Sequence, residues 1–284
     1  MLALSLFAAA SIPGLAPGAT VRLPQGPHPK LSIRGERFDP PVIIEASGTT
    51  LQGVEIWDSS GIVLRGATVV APKGPNGPSG PSGPLSWGVD ARRVKNVVFE
   101  GLTITKVHTG MVIGDSDGVT VRGSRFHAMR SDGIDIAGVT NILIEDNDFR
   151  DFRPIKAKGS RQDGTFVDGD YPDAVQLWTT KDHDYGRDVM IRRNTVDGDT
   201  QGINLFGPQG RGYERVRILD NTLNITYPAA VSVFKCTDCE VIGNKATAIA
   251  GAPYLVNIRI ENSTGRFCGN DTFNNLRIPA RKRC

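Results

Sequence analysis

Apolar positions in this chain alternate with polar ones over runs of only three to six residues, and the runs repeat. Those beginning at Gly61, Asn96, Gly118, Asn141, Asp188, Arg215 and Asp238 share one pattern: a small or polar residue, then apolar, variable and apolar positions, then a polar or small close. Their starts lie 35, 22, 23, 47, 27 and 23 residues apart, a base period of about 23 interrupted by insertions. That is the length of one coil of a β-solenoid, and a unit so short buries its apolar face only by stacking on neighbours. A second set of runs begins at Gly88, Gly110, Gly133, Ala174, Gly202 and Ala230. Period two puts their apolar pairs inside and the variable residues Asp90, Val112, Asp135, Gln176, Asn204 and Ser232 outside. Each coil therefore holds two clear strands and a third after the turn, with no helical period between them. The pattern predicts an all-β, single-domain solenoid of about eight coils.

Ser124, Asn147, Asn194, Asn221 and Asn244 recur at one turn position, where Asn tolerates the left-handed conformation of a sharp bend. A ladder of Asn on strand-rich coils resembles the right-handed parallel β-helix of the pectate-lyase-like superfold, over roughly residues 40 to 265. The resemblance implies that fold and a choice among polysaccharide lyases, glycoside hydrolases, uronate epimerases and phage tailspikes. The fold alone does not choose between them.

The insertions mark the place to look for chemistry. Residues 150 to 171 form an excursion where the preceding coil uses only four residues, and the turns after Val175 and Ile203 are also lengthened. All three flank the same strand ladder on adjacent coils, and long loops converging on one rigid face are where a solenoid builds a site. There stand Asp132, Asp135 and Asp173, carboxylates that crowd together mainly to share a proton, hold a cation or meet basic groups. Asp135 and Asp173 are candidate calcium ligands as well as catalytic groups; the expected cofactor is calcium or none. The run from Ser131 to Asp135 also resembles a segment of polygalacturonase-type hydrolases, whose other motifs this chain lacks. Turn-capping is the structural alternative for Asp132 and Asp173.

Lys156, Lys158 and Arg161 in the excursion, with His183 and Tyr185 in the next turn, are candidate bases or substrate contacts. β-Elimination from a uronate needs a base at C5 and help for the leaving oxygen. Gln176 and Asn204 line the ladder, and Trp178 and Phe206 two positions on offer flat apolar faces to a pyranose. The reading is a polysaccharide lyase, with an inverting hydrolase, a uronate C5-epimerase and a non-catalytic glycan-binding β-helix as alternatives.

Composition narrows the partners. A net charge of +3 over 284 residues does not suggest nucleic acid, and no stretch is long enough to span a bilayer. The apolar run from Leu2 to Ala10 reads as a signal peptide or leader within residues 1–19, ahead of a β-helix domain over 20–284, so a secreted or periplasmic protein is expected. Cys236, Cys239, Cys268 and Cys284, all near one end, fit disulfides better than a zinc site, with the pairing open.

Overall fold

The computed structural model describes residues 12–71, 86–183, 185–206 and 212–273. The leader run up to residue 11, the Gly/Pro-rich stretch 74–84 and Cys284 lie outside the described residues. Three parallel sheets of nine, eleven and ten strands wind into one solenoid of about nine turns, without a helix among the described residues. The first sheet runs from Leu31–Arg34 through Trp87–Arg92, Thr109–Gly114, Ile134–Ala137, Asp173–Trp178 and Gln201–Phe206 to Asn257–Glu261. The second carries the runs that begin at Gly61 and its equivalents, and the short third strand closes each coil.

Both ends of the second-sheet pattern have a backbone cause. Its opening residues include Asn96, Asn141, Asp188 and Asp238, and its closing residues Asp146 and Asp220, all with φ between 53° and 56°. Asn, Asp and Gly occupy this left-handed region at least cost, so the small or polar ends of each run are the corners of the coil. The Asn ladder follows the closing corner. Asn147, Asn194, Asn221 and Asn244 are buried, and each accepts the main-chain N–H of the equivalent residue one coil back at 2.9–3.1 Å. The ladder continues to Asn270, which the sequence pattern did not include.

Inside, Ile134, Val175, Ile203 and Val231 stack in register and are fully buried, as the period-two pattern requires. Phe126 and Phe149 stack face to face at 4.7 Å beside them. That packing explains the small residue opening each first-sheet run: a Cβ on Gly133 would come within 2.4 Å of the Ala174 carbonyl and 2.7 Å of the Phe149 ring. Cys236 and Cys239 form a disulfide. This settles them against zinc. Cys268 is disulfide-bonded as well.

Candidate functional site

The outward ladder has the expected register: Asp90, Val112, Asp135, Gln176, Asn204 and Ser232 are partners on successive coils. It extends backwards to Glu55, held by Lys30, Ser32 and Arg34. The Gly133 amide donates to the Asp173 carbonyl at 2.8 Å, which aligns the strand entries of two coils and brings Asp132 beside Asp173. The Asp132 carboxyl accepts the Asp173 amide at 2.8 Å and the Ser131 hydroxyl at 2.9 Å. Asp132 is thus both a turn cap and a member of the acidic cluster.

Asp173 is fully buried and accepts N–H bonds on both oxygens, from Gln176 at 2.6 Å and from Asn204. The indole N–H of Trp178 donates in turn to the side-chain amide oxygen of Gln176. Asp135 has one buried oxygen without a hydrogen-bond partner, as does Asn204. Burial raises the Asp135 carboxyl well above its ordinary 3.8, and the charges of Asp132 and Asp173 push it further. Burial and Asp132 likewise raise Asp173 against the pull of its two amide donors. Asp132, raised mainly by burial, reaches about 6. All three carboxyls thus hold a proton more firmly than ordinary aspartates, Asp135 and Asp173 more so than Asp132, which at about 6 is largely ionised at neutral pH.

Asp135 lines a depression of about 280 Å³ together with Val112, Ala137, Trp178, His183 and Asp115. His183 Nδ1 and Asp115 Oδ1 are 2.7 Å apart. A carboxylate at one ring nitrogen fixes the tautomer and frees the other nitrogen to accept a proton. Sequence reasoning named His183 and missed Asp115, 68 residues away. The available signal was Gly138, aligned with Asp115 one coil on. At φ 66° it carries no Cβ, and one would lie 2.6 Å from Asp115 Oδ1 and 3.0 Å from His183 Nδ1.

Trp178 is 40% exposed and its ring centroid lies 6.0 Å from that of Phe206, tilted by 42°. The buried Tyr213 hydroxyl lies within hydrogen-bond reach of the carbonyls of both Leu177 and Phe206 and shares its one proton between them, tying together the strands that present these two rings. Tyr213 has no counterpart in the sequence reading. Arg92 also lines the depression, paired with Asp90 at 2.8 Å and set 5.3 Å from the Trp87 ring centroid.

The cations of the excursion lie elsewhere. Lys156 pairs with Asp199 at 2.5 Å and touches the Tyr227 hydroxyl. Lys158 is exposed beside a backbone bridge to Val167, and Arg161 lies over the Phe166 ring at 4.0 Å. Among the described residues, no hydrogen bond or ion pair joins any of the three to the carboxylate cluster. Tyr185 starts a second-sheet strand and carries Arg187 against its ring at 5.2 Å. His108 is buried, which together with Arg130 lowers it to about 4 and keeps it neutral.

The donor set does not fit calcium, which takes six to eight oxygens. Both Asp173 oxygens already accept N–H bonds, from Gln176 and Asn204. Among the described residues, no group of three or more His, Cys, Asp or Glu is placed to hold a metal ion.

A family model described as right-handed beta helix region matches residues 87–265. The chain belongs to this right-handed β-helix family. No curated protein matches it in sequence. Among solved structures it is similar to PfbA, a surface adhesin of Streptococcus pneumoniae, at 11% identity over 93% of this chain and 70% of the adhesin, with a TM-score of 0.59. It is also similar to the Dettilon tailspike protein, at 13% identity over 88% of this chain, with a TM-score of 0.51. The β-helix spans 54% of that tailspike. Identities this low establish the fold and leave the chemistry to the site.

Proposed function

We propose that this β-helix is an extracellular, metal-independent polysaccharide lyase acting on a uronate-containing polymer. The observation that carries the reading is the meeting of the His183–Asp115 pair and Asp135, whose carboxyl burial shifts upward, in one depression beside an exposed Trp. A pyranose ring rests on the Trp178 face, with its carboxylate toward the Arg92 side of the depression. The free nitrogen of His183 takes the C5 proton, and Asp115 stabilises the imidazolium that forms. The C5–H electron pair becomes the C4–C5 double bond as the bond from C4 to the glycosidic oxygen breaks. Asp135 gives its proton to the departing oxygen, and Asp132 and Asp173 keep that proton available by disfavouring further ionisation. The Cys236–Cys239 disulfide supports an oxidising compartment.

The test is incubation with uronate and neutral polysaccharides, followed by the ultraviolet absorbance of the unsaturated product and by reducing-end assay. Unsaturated product from a uronate polymer, lost in Asp135→Asn and His183→Ala proteins that keep the wild-type melting profile, is the expected result. Reducing ends without unsaturation would replace elimination by inverting hydrolysis, with Asp135 still the acid. C5 inversion without cleavage would mean an epimerase. Binding with no turnover would leave a glycan-binding β-helix.

A further inference from the structure

A cavity of about 620 Å³ lies away from the His183 depression, between the excursion and the loop around Tyr254. Lys156, Tyr171, Asp199, Thr226, Tyr227 and Tyr254 line it. Three tyrosines follow one another along it: Tyr171 meets Tyr227 edge-on at 6.1 Å, and Tyr227 runs nearly parallel to Tyr254 at 6.4 Å. Tyr171 and Tyr254 are about half exposed, so their ring faces are open to a ligand. At the polar side, Asp199 holds Lys156 at 2.5 Å and accepts the Thr226 hydroxyl at 2.6 Å. Lys156 also reaches the Tyr227 hydroxyl at 3.4 Å and lies 5.1 Å from that ring's centroid.

We propose that this cavity is a second carbohydrate site, one that takes a neutral pyranose. Aromatic faces beside a polar edge suit a ring with one C–H face and hydroxyls around its rim. The edge offers both hydrogen-bond senses at once: the ammonium donates to one hydroxyl while the carboxylate accepts from its neighbour. Lys156 is neutralised by Asp199, and Asp170, at the cavity wall, is bound by Arg130 at 2.7 Å. A uronate carboxylate would crowd the two carboxylates of this wall, Asp199 and Asp170. A purely apolar ligand would strand the ion pair. Lys156 thus acts as a binding residue, and the site holds a side branch or a distant neutral unit of the polymer, whatever chemistry occurs at Asp135.

Saturation-transfer NMR of the full chain with methyl glucoside, galactoside, mannoside and glucuronide tests this. At least one neutral glycoside should receive saturation from the wild-type and the Asp135→Asn proteins alike. Affinity should fall roughly tenfold in Tyr254→Ala, the loss of one stacking face, and again in Asp199→Asn, which keeps the shape and removes the charge. No transfer to any neutral glycoside, preference for the glucuronide, or undiminished transfer in both variants would overturn the proposal. Neutral-glycoside binding by a protein inactive on every uronate polymer would keep this site and sink the elimination, so the two readings fail separately.

Discussion

Replacing Asp132 by Asn tests the electrostatics of the carboxylate cluster. The side chain keeps its shape, and its amide oxygen still accepts the Asp173 amide, while the ionisable proton is gone. In the folded wild type Asp132 rises from 3.8 to about 6. A carboxyl raised by folding contributes stability that is fully present below pH 3.8 and is lost as pH climbs through about 6, because ionisation is then easier in the unfolded chain. Two pH units at about 1.4 kcal/mol each set a ceiling of about 3 kcal/mol. Water reaching the half-buried carboxyl screens part of it, leaving about 1 to 3 kcal/mol, or roughly 2 to 8 °C in midpoint for a chain of this size. The assay is thermal unfolding of both proteins by far-ultraviolet circular dichroism at about pH 4 and about pH 8. Near pH 4 the variant should melt within a few degrees of wild type, and near pH 8 its midpoint relative to wild type should rise by the amount above. Removing the Asp132 charge also lets Asp135 ionise more easily, so the alkaline limb of the activity profile should move to lower pH. A midpoint difference that is the same at both pH values, or that grows more unfavourable at alkaline pH, would refute the cluster as described.

Three further outcomes follow from other parts of the structure. Asn221→Ala should cost about 3 kcal/mol in urea unfolding, since it strands the Asn194 amide and the Ile191 carbonyl in a fully buried corner; a loss below about 1 kcal/mol would show the ladder to be dispensable. Gly138→Ala should reduce turnover at least tenfold by pushing Asp115 away from His183, with a stability loss of only about 1 kcal/mol from the left-handed backbone; unchanged turnover would remove the pair from the mechanism. Trp178→Ala should raise KM about tenfold and leave kcat nearly unchanged, because the ring serves substrate and intermediate equally; steady-state kinetics on a uronate oligomer would show the opposite split if the ring acted on the chemical step.

Much of this architecture could be read along the chain because a solenoid repeats one local problem. Each coil needs small or polar residues at its left-handed corners, an apolar pair facing inward and an amide at the ladder corner, and all of these recur every 23 residues or so. The end coils were harder. The strand Arg37–Glu45 shifts register between Arg37 and Val42, and the last coil replaces the small-residue signature with Asn257–Glu261, so about eight coils were visible where about nine exist.

Sequence by itself also determined which side chains leave the rigid ladder, since alternation and register follow from the strand period. Asp135, Gln176, Asn204 and Trp178 were placed in this way. What the insertions bring to that ladder was decided only in three dimensions, because a loop has no period from which to infer direction. The excursion carries Lys156 to Asp199 and leaves Lys158 and Arg161 exposed, while a shorter turn brings His183 to Asp115. The upward shifts of the aspartate carboxyls belong to the same class of fact. They arise from burial and mutual charge among residues up to 41 positions apart, quantities that exist only once the coils are stacked.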